Sequence, residues 1–140
     1  MYVSARSDYA VRAMLAIAAG DGRELVKAAA LASVQEIPLS FLQGILLDLR
    51  RAGLLHSHRG VEGGYGLSRP ATAITVGDVL RAVSGSLTTV RGLPADFATY
   101  HGVATGLRDV WLAVHSAIED VVDQTTLADL LGHRSPIPTS

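Results

Sequence analysis

The stretch LLHSHRGVEGGYGLSRP, from Leu54 to Pro70, sets two histidines and an arginine directly ahead of Gly60, Gly63, Gly64 and Gly66. Cationic or titratable side chains beside a freely turning backbone suit a phosphate partner, and two kinds of phosphate chemistry compete for the assignment. A nucleotide-gripping loop needs a strand, then G-x-x-x-x-G-K-[ST], then a helix, so that backbone amides and a lysine close on the phosphates. Here no Lys-Ser or Lys-Thr comes after the glycines, and the next residues, YGLSRP, are strand-like. The dinucleotide fingerprint fails for the same reason. The other reading is a β-hairpin: LLHSH and YGLSR roughly alternate, and the glycines between them permit positive φ in a tight reversal. One or two glycines suffice for a turn. A larger number lets the backbone lie close to a phosphate chain, with Arg59 long enough to reach a minor groove, whose negative potential attracts guanidinium.

No other set of residues offers competing chemistry. His56 and His58 stand at i, i+2 on one strand face, and two ligands without partners make a poor metal site. Asp8, Asp48, Glu62 and the histidines form no acid–base or nucleophilic set, and Ser68 lacks a G-x-S-x-G context. The chain has no cysteine, which excludes disulfides, thiolate catalysis and thiolate-ligated zinc or iron–sulfur centres. An enzyme is therefore not expected, nor is a metal or other cofactor. Up to Arg69 the chain carries eight basic and six acidic residues, and from Pro70 onward four and seven. The basic half contains the hairpin, as a polyanion partner requires, although the excess is small.

The elements that must position the hairpin can be read from periodicity and caps. Ser7 to Ala19 reads as a helix capped by Ser7 or Asp8 and ended by Gly20-Asp21-Gly22. Lys27 to Ser33 is a short alanine-rich helix. A third begins at Pro38, whose missing amide hydrogen is harmless in a first turn; Phe41, Leu42, Ile45, Leu46 and Leu49 give it an apolar face, and it stops at Gly53. After the hairpin, TVGDVLRAVSG forms a helix capped by Thr75, and residues 86–102 read as a loop with one helical turn at most. From Val103 to Val122 the residues Leu107, Val110, Trp111, Val114, Ile118 and Val121 recur at three- and four-residue steps. A helix of this length, about 30 Å, is longer than one small globule needs. Its stripe is expected to bury itself against a second copy. A short terminal helix and a frayed tail over 133–140 complete the chain.

Two short helices, a tight turn, a third helix and a hairpin make a winged helix-turn-helix. The helix from Pro38 enters the major groove by its N-terminus, and the hairpin is the wing. The fold class is thus mainly α with a small β-hairpin, in a chain of 140 residues, the size of one domain. No apolar run reaches the roughly 18 residues of a membrane helix, and Arg6, Asp8 and Arg12 break up a secretion leader, so a cytoplasmic protein is expected.

The segments SDYAVRAMLAIA, IPLSFLQGILLDLRRAGLLHSHRG and GGYGLSRPATAITVGDVLRAVSG resemble the Rrf-two family of bacterial winged-helix transcription regulators, which includes the iron–sulfur cluster regulator and the cysteine-metabolism repressor. The likeness is close over residues 1–85; beyond 86 only the long helix agrees in kind. It implies a homodimer whose long helices cross, a near-palindromic operator in double-stranded DNA, and a repressor. It carries over Leu39, Ser40 and Gln43 as groove-facing residues, Arg59 as the minor-groove arginine, and Gly60, Gly63, Gly64 and Tyr65 as the wing, while His58 beside them, with His56, is expected from its strand position to face solvent or DNA. Tyr2, Ser4 and Lys27 are further phosphate partners. Many family members hold an iron–sulfur cluster through three cysteines before the long helix, and some take the remaining ligand from the first helix, at positions held here by Asp8 and Arg12. The corresponding loop in this chain, SLTTVRGLPADFATYHGVATGLRD, has no cysteine, and His101 is its one residue with a metal-binding nitrogen. Asp8, Arg12 and His101 are left as the region where an effector, small molecule or protein, would act. Residues 1–85 are then the DNA-binding unit, 86–102 the segment that senses in relatives, and 103–132 the dimerisation helix with a terminal helix. The competing expectation is a protein-interaction module that has lost DNA reading and docks a partner enzyme through the long helix.

Overall fold

The first helix, α1 (Ala5–Ala18), lies at the centre of the molecule and buries Ala10, Ala13, Met14 and Ile17. The computed structural model describes residues 1–20 and 24–132. The expected stop at Asp21 and Gly22, and the tail over 133–140, lie outside the described residues. The helix begins earlier than its caps suggested. Ser4, not Ser7 or Asp8, is the N-cap, and its Oγ accepts from the Ser7 amide at 3.1 Å. The two serines are equally competent caps, and packing chooses between them: Ser7 is buried, and its Oγ shares a 2.6 Å hydrogen bond with Ser84 Oγ.

Helices α2 (Ala28–Gln35) and α3 (Leu39–Arg51) come next, and the chain turns by 118° between them. Only Glu36, Ile37 and Pro38 connect them. Glu36 takes the left-handed conformation (φ 55°, ψ 48°), and Ile37 is buried beneath the turn. That is the geometry of a helix-turn-helix. The inner face of α3 (Leu42, Ile45, Leu46 and Leu49) is fully buried against α1 and α2. Strands β1 (Leu55–His58) and β2 (Gly64–Leu67) pair antiparallel, from Leu55 opposite Leu67 to His58 opposite Gly64. Val26 adds to the far edge of β2 by exchanging two hydrogen bonds with Tyr65 (2.9 and 2.8 Å), so the hairpin is tied to the chain entering α2. No pattern in the sequence signals this third edge.

Helix α4 (Val76–Ser84) starts in a complete capping box between Thr75 and Asp78. The next segment is more ordered than a loop. Strands β3 (Thr89–Val90) and β4 (Leu93–Pro94) form a tight hairpin, and 3-10 turns succeed it at Ala95–Phe97 and Gly102–Ala104. The long helix α5 is Leu107–Val122, 16 residues or about 24 Å, shorter than expected because Gly102 to Gly106 take turn conformations. Helix α6 (Leu127–Leu131) has its own capping box between Thr126 and Asp129. It folds back onto α1, burying Leu127 completely in the central core.

A non-glycine residue in the left-handed region costs about 1–2 kcal/mol relative to the right-handed one, while glycine gives part of that back through unfolded-chain entropy. Glu36→Gly is therefore expected to raise stability by up to about 1 kcal/mol, and Glu36→Val to lower it by about the same amount, read as urea midpoints.

Candidate nucleic-acid interface

The packing of α3 decides which of its residues face outward. With Leu42, Ile45, Leu46 and Leu49 turned inward, Leu39, Ser40, Gln43 and Gly44 stand exposed around the helix N-terminus. Phe41 lies at the edge of this face, its ring edge-on to Tyr9 of α1 at 5.6 Å. At the other end, Arg50 donates to Ser57 Oγ of β1 at 3.2 Å, which ties the end of α3 to the base of the hairpin.

The hairpin loop is built from close backbone approaches. A Cβ on Gly63 would lie 2.2 Å from the His58 carbonyl oxygen, and one on Gly64 would lie 2.7 Å from that of Val26. Gly64 also sits at φ 145° and Gly60 at φ 106°, so these glycines answer a steric need before any contact with a partner. Lys27 Nζ donates to the Gly60 carbonyl at 3.1 Å, which braces the loop from the start of α2. His58, Arg59, Gly60 and Val61 are exposed, Val61 at 91%. Arg59 makes no ion pair among the described residues. His56 and His58 stack edge-to-face at 5.2 Å. Tyr65 differs from the rest of the expected wing set: its backbone is paired on both sides, and its ring is half-buried against the core. Tyr2 is exposed, whereas Ser4 is committed to capping α1.

The expected effector residues do not converge. Asp8 and Arg12 pair at 3.3 Å, and the Arg12 guanidinium also bonds the Gln35 carbonyl at the end of α2, reaches Gln35 Oε1 at 3.4 Å and lies over the Tyr9 ring at 5.2 Å. Arg12 thus holds the helix-turn-helix turn. His101 is exposed, and no hydrogen bond or ion pair among the described residues joins it to either. A half-open cavity of about 530 Å³ lies elsewhere, lined by Met1, Tyr2, Leu87, Val90, Trp111, Val114 and Ile118 together with hydroxyls of residues 84–89.

On α5, Leu107, Val110, Val114 and Val121 are exposed, and Trp111 and Ile118 are half-buried beside them, so the expected stripe forms one continuous apolar face. Trp111 Nε1 donates to Tyr100 Oη at 2.9 Å, and Arg91 lies over the Tyr100 ring at 5.7 Å. The opposite flank of α5 is polar and faces α4. There Arg81 meets Asp123 and Glu119, and its hydrogen bond holds the Asp123 carboxyl below its ordinary value. The same bond raises Arg81 further above its own, so both groups stay charged.

An exposed helix N-terminus beside a glycine-braced wing defines a winged helix-turn-helix DNA-binding protein. The chain belongs to the Rrf2 family, iron-dependent transcriptional regulators, which it matches over residues 3–133. It is accordingly a DNA-binding transcriptional regulator and not an enzyme. A Mycobacterium tuberculosis protein named as a putative HTH-type transcriptional regulator is 45% identical over 136 residues, 97% of this chain and 84% of the relative. The structure of CymR, the global cysteine regulator of Bacillus subtilis, superposes with a TM-score of 0.81 at 27% identity, covering 96% of this chain and 99% of that one. The IscR structure from T. potens gives 0.76 at 34% identity, covering 95% and 88%. The family description implies iron, but the residues present do not fit it. The chain has no cysteine, and the described residues contain no cluster of three His, Asp or Glu able to hold a metal ion.

Gly64→Ala forces the wing backbone away from Val26. It is expected to cost about 1–3 kcal/mol of stability and to weaken DNA binding beyond that loss, read by denaturation and by fluorescence anisotropy on a promoter fragment.

Proposed function

We propose that the chain is a homodimeric, sequence-specific repressor of the cytoplasm that reads a near-palindromic operator in double-stranded DNA and works without an iron–sulfur cluster. One observation carries this reading: Leu39, Ser40 and Gln43 stand free at the exposed start of α3, beside a wing whose Arg59 has no ion pair among the described residues. Gln43 suits a bidentate pair with adenine, Ser40 a base edge or phosphate, and Arg59 the minor groove. His58 and the backbone of Gly60 lie along the phosphates, while buried Gly63, half-buried Gly64 and Tyr65 act from within by shaping the wing.

The apolar stripe of α5 supports the dimer. Leu107, Val110, Trp111, Val114, Ile118 and Val121 cover the partner's equivalent residues, and a two-fold protein fits a two-fold site. In this division residues 1–85 read, α5 within 103–132 joins the two copies while α6 packs back onto α1, and 86–102 lie beside the cavity where an effector would act. Repression then needs only occupancy of a promoter. The lack of thiolates, with Arg12 holding the helix-turn-helix turn, supports a regulator without the cluster.

The test is binding to fragments selected from the host genome, measured over a salt series. Affinity should fall steeply with salt, and Arg59→Ala, which removes one cation from each half-site, should reduce the slope of log K against log salt by about 2 for the dimer. Gln43→Ala should cost about 1–3 kcal/mol per half-site and relax preference at one base pair in each. Salt-insensitive binding, or none to any fragment, overturns DNA reading in favour of a protein-docking module. Separately, Val114→Asp should convert a dimer to a folded monomer in light scattering, because it buries a charge in an apolar interface. A monomeric parent chain would overturn the dimer.

A further inference from the structure

Helix α5 is held to the reading head by little apolar packing. Val122 is its one buried residue, and its main neighbours are α4 and the turn at Ala95–Phe97. The polar contacts on that flank are correspondingly well built. Arg81 of α4 grips Asp123 with both prongs, Nη1 to Oδ1 at 2.7 Å and Nη2 to Oδ2 at 2.8 Å, and Nη2 also reaches Glu119 Oε2 at 3.1 Å. Glu119 Oε1 lies 3.2 Å from His115 Nε2, and His115 Nδ1 shares a 2.9 Å hydrogen bond with Thr88 Oγ1. A second observation shows that the approach is accommodated by the sequence. A Cβ on Gly77, in the first turn of α4, would lie 1.8 Å from Asp123 Oδ1. Glycine inside a helix costs about 0.5–1 kcal/mol relative to alanine, and here it clears the space the carboxylate occupies. One turn from Arg81 on the same helix, Asp78 pairs at 3.5 Å with Arg69, just beyond the wing strand β2. Helix α4 thus brackets the wing on one side and α5 on the other.

We propose that Arg81, with Asp123 and Glu119, is a positioning residue that fixes the angle of α5 to the reading head and thereby the separation of the two wings on DNA. The second half of that statement rests on the dimeric, operator-reading function above; the first half does not. A planar two-pronged guanidinium–carboxylate pair resists rotation in a way a point charge cannot. Loss of the pair therefore loosens an angle before it unfolds a domain.

The chain has no cysteine, so Val61→Cys at the wing tip and Ser116→Cys on the solvent side of α5 place two spin labels and no others. Doubly labelled full chain, diluted into an excess of unlabelled chain, reports the distance within one protomer by double electron–electron resonance, whatever the oligomeric state. The parent chain should give one narrow distribution. Arg81→Ala should broaden or shift it. Gly77→Ala should do the same although it favours the helix that carries it, and Arg81→Lys should fall between. Unchanged distributions in Arg81→Ala and Gly77→Ala overturn the latch. On operators whose half-site spacing is varied one base pair at a time, Arg81→Ala should lose about tenfold in affinity at the preferred spacing while keeping its affinity for a single half-site. Equal weakening at every spacing and on the half-site would mark Arg81 as merely structural and overturn the proposal. Absence of any spacing preference in the parent would instead defeat the dimeric reading, with the distance measurement still deciding the latch.

Discussion

The arrangement depends on α1 being thin where the other elements cross it. Ala10 and Ala13 are fully buried, and their small side chains let α3, α4, α6 and the wing strand close on one helix from different sides. Close-packed interiors feel a change of even one methylene, so larger residues at these two positions would push the flanking elements apart. Because α3 must lay Leu42, Ile45, Leu46 and Leu49 on that surface, the rest of its circumference has no choice but to face out. The exposure of Leu39, Ser40 and Gln43 is thus a consequence of core packing, and so is the direction in which they point.

Upon this apolar centre lies a set of polar ties between elements that pack obliquely. Arg6 of α1 pairs with Asp48 of α3 and donates to the Val83 carbonyl of α4 at 3.3 Å; Ser7 meets Ser84; Arg12 holds the end of α2; Arg50 holds β1. Apart from buried Ser7 these groups are partly or largely exposed, where a single ion pair contributes roughly 0–1 kcal/mol. Against fully buried leucines that cost about 2–5 kcal/mol each when cut to alanine, they cannot be what keeps the chain folded. Directional bonds between elements restrict rotation and sliding, which apolar contact alone leaves softer. In a protein whose product is a geometry presented to DNA, that restriction is the more consequential effect.

What the sequence disclosed divides along physical lines. Helix α3 and the wing were legible because each has a local cause: an apolar stripe at helical spacing in one, alternation around a glycine cluster in the other. The pairing of Val26 with Tyr65 was not, because a one-residue bridge has no period and depends on where α1 and α2 leave the chain. The β3–β4 hairpin escaped for the same reason, its strands being two residues each. The early start of α1 was hidden by three competent caps within five residues, Ser4, Ser7 and Asp8. At the site, exposure came from the stripe and was predictable. The inward turn of Tyr65, the brace from Lys27 and the role of Arg12 depend on tertiary neighbours, and no spacing within the sequence encodes them.

The segment before α5 illustrates how a chain without thiolates holds such a region in place. Thiolate–metal bonds fix a loop at a few strong points; here the ties are many and weak. Arg108 donates to the Asp96 carbonyl at 3.1 Å, Trp111 to Tyr100, and His115 meets Thr88, all between α5 and the segment that precedes it. Segments held mainly by partly exposed hydrogen bonds open at a lower free-energy cost than the core. Every one of these ties ends on α5, the helix whose other flank carries Glu119 and Asp123 against Arg81. The 86–106 segment is also continuous with the end of α4, so a displacement of it acts on α5 and on α4 together. The polar flank of α5 is one tie between that end of the molecule and the reading head, beside the backbone bonds from the Val76 amide to the Thr125 carbonyl and from the Leu127 amide to the Ile74 carbonyl.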